Sequence, residues 1–242
     1  TLMNLTKEIG RGELAVPKLD KSLPEEFTDL YQGFVLMGAA IEQREAEIIY
    51  HAERDVLTGL YNRYKILNKI KYYIQSNTHL VLITFNIKDF KAISDTIGTH
   101  NTDIILKQIA CRINVYIENI SHNESSKESF KKGVSARVNS DEFLVGLPIT
   151  NTETIVQYIE QLRIDLERPF IITEIKIHLN IFYGVSNSID NDTDAEKLVS
   201  RSALAASTAN QNKVPVNFYQ QGDDEAYLYK LHLIEELKAA LD

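Results

Sequence analysis

The chain has 242 residues, 44% of them apolar and 25% charged, with 26 Lys and Arg against 34 Asp and Glu. That apolar share can fill a core, which excludes a disordered or collagen-like chain. The formal net charge of -8 argues against a broad surface for DNA or RNA, so no nucleic-acid partner is expected. The single cysteine, Cys111, excludes an intramolecular disulfide framework and a cysteine-based zinc centre. No stretch is long and apolar enough to span a bilayer.

Residues 1–54 read as elongated. Leu2, Leu5 and Ile9 form a short coiled-coil stripe that stops at Gly10 and Gly12, and Pro17 and Pro24 forbid one continuous helix through the connector. Heptad spacing then returns in Phe27, Leu30, Phe34, Met37, Ile41 and Ile48. A helix over 27–55 would run roughly 40 Å, and its other face, with Gln43, Glu45 and Glu47, is polar. Two readings fit: a helix lying on its own domain, or a parallel bundle through which the chain self-associates.

The pattern in 55–220 predicts one compact domain. A helix over 61–74 follows the turn at Gly59, and the apolar run LVLITF over 80–85 reads as a buried central strand. A short helix over 89–97 stops at Gly98, and another over 103–117 turns Ile105, Ile109, Ile113 and Tyr116 or Ile117 to one side, with Cys111 as an inert core or boundary thiol. Polar residues 121–133 read as a solvated loop. Strands over 134–138 and 143–147 meet across a tight hairpin, and a helix over 153–167 ends before Pro169. Ile175, Ile177, Leu179 and Ile181 alternate with polar residues as one strand. A helix over 194–208 and a strand over 216–218 complete an α/β domain with helices covering a mixed sheet. A last helix, from 223, presents Leu231, Ile234, Leu237 and Leu241 along one side.

DVLTGLYNR over 55–63, LVLITFNIKDFKAISDTIGTHNTDIILKQIA over 80–110 and ARVNSDEFLVGL over 136–147, in that order, resemble a GGDEF domain, whose active members condense two GTP into cyclic di-GMP. The resemblance covers 55–220 and implies a nucleotide-cyclase-like fold with helical N- and C-terminal extensions. EIGRGELAVP and EEFTDLYQGFVLMGAAIEQRE resemble the later part of a HAMP relay module running into a signalling helix, which places 1–54 there. YLYKLHLIEELKAALD resembles the linker and first helix of an EAL domain, which places 221–242 there. The chain begins at Thr1 and ends in a helical pattern, so it reads as a cytoplasmic, soluble piece of a bacterial inner-membrane protein of the HAMP–GGDEF–EAL type, a group that includes LapD-like receptors for cyclic di-GMP. The EAL domain of the same parent chain is then an expected partner.

Mapped onto this chain, the resemblance implies a site poor in the groups that phosphoryl transfer needs. Asn86 stands where the family has a metal-binding Asp, and Lys88 where many members have a second. Asn139 and Ser140 replace the two glycines of the signature, while Asp141, Glu142 and Phe143 match; the metal set is Asp141 at most. Of the guanine-binding pair, the Asn position is Ser94 and the Asp position is Asp103, which could equally cap its helix. Asn210 and Val214 replace the phosphate-binding Lys and Arg, with Lys213 one residue away. The inhibitory RxxD motif maps to FKKG at 130–133, and Arg137 could pair with a local acid or a phosphate. The expectation is a catalytically inactive relay and dimerisation module with no cofactor. The alternatives are a GTP-binding regulatory domain that holds Mg²⁺ only with its nucleotide and controls an adjacent EAL phosphodiesterase, or a weak diguanylate cyclase.

Overall fold

The computed structural model describes residues 25–124, 132–148, 154–188 and 194–241. Two compact units divide between Ala52 and Glu53. In the first, the heptad pattern forms one helix, α1 (Glu25–Glu53). Phe34 is half-buried, whereas Met37, Ile41 and Ile48 are exposed, Ile48 to 67%. Leu36 and Tyr50 are also exposed, so apolar surface extends beyond the heptad stripe. The side chains of Phe27 and Leu30, and the stripe of Leu2, Leu5 and Ile9, lie outside the described residues.

The second unit is built on a five-stranded sheet ordered β2–β3–β1–β6–β7. Its strands are β1 (Leu80–Ile87), β2 (Val134–Arg137), β3 (Glu142–Pro148), β6 (Ile181–Asn187) and β7 (Val216–Phe218). All neighbours are antiparallel except β6 and β7. The apolar run of β1 is the central strand, buried throughout except at Asn86, as the helices on both faces require. Alternation sends Val81, Ile83 and Phe85 into a core with Ile109, Ile113 and Tyr116 of α4 (Thr99–Glu124) and Leu162 of α5 (Ile155–Glu167). Leu80 and Leu82 face Ile66 and Ile70 of α2 (Arg63–Gln75) and Leu198 of α6 (Ala195–Asn212). Asn62 caps α2 by accepting from Lys65 N at 3.0 Å, and Asp194 caps α6 through Glu196 N at 3.0 Å. Small residues bring α6 onto the sheet: Ser202 Oγ lies 2.6 Å from Thr84 Oγ1 on β1, and Ser186 on β6 donates to Leu198 O. Beyond β7, α7 (Asp223–Leu241) is helical as expected; the side chains of Leu231, Ile234, Leu237 and Leu241 lie outside the described residues.

Three expectations need correction. The alternating segment from Ile175 to Ile181 is not one strand. Ile175–Ile177 (β5) pairs with Phe170–Ile172 (β4) in a separate two-stranded hairpin, and β6 starts only at Ile181; Thr173, at φ 56°, makes the turn. Helix α4 starts at Thr99 and runs to Glu124, so it takes up the first residues of the expected loop. Residues 125–131 lie outside the described residues. Cys111 is exposed, not core, because it points away from the buried stripe of α4.

Arg112, also on α4, does a job that nothing in the linear pattern announced. Its guanidinium stacks on Phe170, 3.8 Å from the ring centroid. It donates to Arg168 O at 2.6 Å and Pro169 O at 2.7 Å, with longer reaches to Asp165 O and Leu166 O. The chain just past α5 has no helix to continue into, and the charged fork satisfies its carbonyls. Arg112→Ala is expected to lower the unfolding free energy by about 2 kcal/mol, and Arg112→Lys to recover less than half, since one ammonium cannot span those acceptors. Urea denaturation reads both.

Candidate nucleotide site at the signature hairpin

The hairpin joining β2 to β3 closes beside the end of β1. Val138 N and Asn139 N both donate to Glu142 O, and Ile87 N reaches back to Asp141 O at 3.3 Å. In the antiparallel register Asn86 stands directly opposite Glu142, so the two side chains leave the same face of the sheet. That face carries Thr84 and α6. Ser202 meets Thr84, and Ala205 and Ala206 crowd Gly184, the β6 partner of Thr84. Leu198, one turn earlier, meets Ser186, the partner of Leu82. Helix α6 therefore advances in the direction of β1, and its last turn, with Asn210 and the left-handed cap Lys213, lies toward the end of β1 that carries Asn86.

Sequence and structure thus agree in bringing Asn86, Asn139, Ser140, Asp141 and Glu142 to one place. The groups there are already engaged with one another. The Asn139 amide donates to the Glu142 carboxylate, and Ser140 Oγ donates to Asp141 Oδ1 at 3.0 Å. Among the described residues Asn86 Oδ1 is buried without a hydrogen-bond partner. A buried carbonyl left unpaired is unfavourable, and this one occupies the position to which the family resemblance gives a metal-binding carboxylate. Lys88 is half-buried, and its backbone N–H bonds Asn180 O at 2.8 Å.

Ser94 sits part-buried on α3 (Phe90–Ile97), its carbonyl accepting from Gly98 N. Asp103 is part-buried but does not cap a helix: α4 begins four residues earlier, with no acid in its first turn. The structure therefore overturns the capping role. Asn210 is exposed and its carbonyl accepts from Lys213 N, while Val214, also exposed, donates its backbone N–H to Ala209 O. Gly133 of the FKKG stretch is packed against Leu147 and Ile117; Phe130 and Lys131 lie outside the described residues.

Divalent metal fits these residues poorly. Among the described residues no three His, Cys, Asp or Glu side chains are placed to share one ion. A neutral amide at Asn86 adds none of the negative charge that a hard cation bound to a triphosphate calls for. If Mg²⁺ arrived with a nucleotide, Asp141 would be its one charged ligand and Asn86 Oδ1 a neutral one.

The feature that the sequence pattern underplayed is a brace behind the hairpin. Asp55 Oδ1 accepts from Thr58 N at 2.8 Å, from Thr58 Oγ1 at 2.5 Å and from Arg137 at 3.3 Å. The same guanidinium donates to Ser140 O at 2.6 Å and 3.2 Å. The acid that Arg137 meets is not a local one but lies 82 residues upstream, and the contact ties the DVLTGL turn to the hairpin. Burial pushes the Asp55 carboxyl up, but the Thr58 hydrogen bonds and the Arg137 charge outweigh it, and its pKa lies below the ordinary aspartate value. A depressed folded pKa contributes stability that is fully present above the unfolded value, near 4, and is lost as pH falls through the folded one. Stability is therefore expected to decline below about pH 4, and Asp55→Asn to flatten that part of the decline while lowering stability at neutral pH. Chemical denaturation at a series of pH values separates the two.

The profile of the family described as "Diguanylate cyclase, GGDEF domain" matches residues 52–214. The chain belongs to the GGDEF family. Among proteins similar to this GGDEF chain, MucR of Pseudomonas aeruginosa, a bifunctional diguanylate cyclase/cyclic di-GMP phosphodiesterase, is 21% identical over 86% of this chain and 29% of its own length. The uncharacterized protein y4lL of Sinorhizobium fredii is 24% identical over 84% of this chain and 25% of its own. The chain therefore spans a quarter to three-tenths of these curated relatives. The crystal structure of the coiled coil and GGDEF domain of DgcB from Caulobacter crescentus, in complex with c-di-GMP, superposes with a TM-score of 0.66. It covers 81% of this chain and all of that one at 15% identity, a likeness of fold. The mixed sheet with helices on both faces is the GGDEF fold.

Proposed function

We propose that this GGDEF domain is catalytically inactive and serves as a signal relay and dimerisation module within a larger, membrane-anchored cyclic di-GMP receptor. The observation that carries the reading is Asn86, an uncharged side chain at the end of β1 whose carbonyl oxygen is buried and, among the described residues, unpaired. Transfer of a phosphoryl group needs metal charge placed at that point. The engagement of Asp141 and Glu142 within their own hairpin and the uncharged side chains of Asn210 and Val214 support it.

The exposed Met37, Ile41 and Ile48 of α1 support self-association through that helix, as in a parallel bundle. Exposed Tyr227, Leu228, Tyr229 and Leu233 on α7 support a following domain packed there, which we take to be an EAL domain. The pairing of cyclase and phosphodiesterase in the name of MucR favours the same parent architecture. Among the described residues no helix is long and apolar enough to cross a membrane, so the anchor would belong to the rest of the parent. A second reading, a regulatory GTP site acting on the neighbouring domain, is favoured by the retained Asp103 and Asp141 and by the unpaired Asn86 oxygen, which offers a ligand a place.

Calorimetric titration with GTP and a product assay in Mg²⁺ and in Mn²⁺ separate these readings. The relay predicts neither heat nor product up to millimolar GTP. Saturation at micromolar GTP without turnover would replace it with the regulatory site. Steady metal-dependent formation of cyclic di-GMP, lost in Asp141→Asn, would overturn both.

A further inference from the structure

The two edges of the five-stranded sheet are finished differently. On one side β2 is covered, because Tyr61, just before α2, donates its N–H to Ser135 O and accepts from Arg137 N. On the other side β7 is the outermost strand among the described residues. Tyr183 N donates to Pro215 O and Tyr219 N to Val185 O, and in the parallel register Gly184 stands beside Asn217. Every second residue of a strand turns its backbone groups to the same neighbour, so Pro215, Asn217 and Tyr219 address β6 while Val216 and Phe218 address the outside. Among the described residues nothing takes up the N–H and C=O groups of Val216 and Phe218.

Proteins usually blunt such an edge with charge or proline. The β4–β5 hairpin does so, with Glu174 and Lys176 exposed at its turn and edge. Residues 214–222, VPVNFYQQG, carry no charge at all. Their one proline gives no protection, since the donor that Pro215 lacks would have pointed at β6 rather than outward. Phe218 is 43% exposed, and Val216 on the same face packs against the core. Asn217 lies on the opposite face, half-buried. The uncharged stretch is bounded by the exposed Lys213 on one side and by Asp223, Asp224 and Glu225 on the other.

We propose that this edge is a self-association surface, on which the β7 strands of two copies pair antiparallel about a twofold axis at Asn217. The register is what points to a second copy. Val216 then meets Phe218 of the second copy, and Phe218 meets its Val216, so every outward N–H finds an outward C=O. The same register forms an aliphatic–aromatic cross-strand pair twice on one face and sets Asn217 against Asn217 on the other. Charge agrees with it. Antiparallel pairing brings the Lys213 end of each strand toward the acidic 223–225 end of the other, whereas parallel pairing would bring like ends together. The contact is isologous and therefore closes at two copies. It is separate from self-association through α1 and does not depend on it.

Sedimentation equilibrium of the full chain, with α1 silenced by Ile41→Asp and Ile48→Asp, tests the proposal, and amide hydrogen exchange locates the contact. The expected result is a reversible monomer–dimer equilibrium in which the Val216 and Phe218 amides gain protection as concentration rises. Asn217→Lys and Asn217→Asp each set like charges face to face and should weaken the dimer at least about ten-fold. Mixing the two variants should restore it, a rescue that damage to the fold cannot imitate. Phe218→Pro, which removes an outward donor and no bond to β6, should weaken the dimer with little change in Tm. A monomer at every concentration, a dimer indifferent to the Asn217 variants, or protection that misses Val216 and Phe218 would each overturn the proposal. Should the Asn217 variants fail to fold, Phe218→Pro decides: a weakened dimer supports the edge and an unchanged one refutes it. The same variants with α1 intact keep the two contacts apart. Association lost through Ile41 and Ile48 alone overturns the edge, and association lost through Asn217 alone supports it while refuting the α1 bundle.

Discussion

Replacing Gly184 by alanine is expected to leave the second unit unfolded or close to it. A Cβ built there would stand 2.0 Å from Ala206 N, 2.1 Å from Ser202 O and 2.7 Å from Ala205 C. All three are backbone atoms of α6, so no side chain can rotate away; the helix itself must lift from β6. That movement would break the Thr84–Ser202 and Ser186–Leu198 hydrogen bonds and open the core around Leu198. Overpacking alone costs about 1–3 kcal/mol, and the buried polar groups left unpaired add a similar amount, together a large part of a domain's usual stability. Gly146→Ala is the control. There the nearest atoms are Val134 Cγ2 at 3.0 Å and Leu82 Cδ2 at 3.2 Å, side-chain ends that can give. Its effect should be about 1 kcal/mol, measured by the same urea transitions.

The residues of the sheet were readable because burial on both faces leaves an apolar run with no competing interpretation, as LVLITF shows. Helix α2 was readable from its turn glycine and its spacing. The β4–β5 hairpin was not: its turn is made by the left-handed Thr173, a conformation threonine does not advertise, and the alternation of β5 continues through 178–180 into β6, which starts only at Ile181. Helix α4 extends past both expected ends through Thr99, His100 and Asn101 on one side and Ser121 and His122 on the other, weak helix formers whose propensity gave no sign that the helix continues. At the site, each hairpin residue fell where the family motif put it. The Asp55–Arg137 brace and the cap from Arg112 needed three dimensions, since each joins residues more than 50 positions apart. Arg137 carried a sequence signal for a brace, a cation two residues before the hairpin, but with Asp141 and Glu142 so near in the chain nothing singled out Asp55 as its partner.

The activity of the chain is expected to respond to restored groups only when they are restored together. Asn86→Asp, Asn139→Gly and Ser140→Gly return the strand carboxylate and free the turn, and they release Glu142 from the Asn139 amide. With Ser94, Asn210 and Val214 unchanged, guanine and phosphate still lack their partners, and turnover of GTP should stay near background. Adding Ser94→Asn, Asn210→Lys and Val214→Arg should raise it by a factor of at least about 10², because groups that act on one transition state are not additive and a missing member silences the rest. The location of α6 makes the second set effective: its last turn lies toward the end of β1 that carries residue 86, so a lysine at 210 would approach the same phosphates as the restored carboxylate's metal. A steady-state product assay in Mg²⁺ on the three- and six-substitution chains provides the comparison. Substantial turnover in the three-substitution chain, absent from the unsubstituted one, would show that Asn86, Asn139 and Ser140 alone limit it, with no part played by Ser94, Asn210 and Val214.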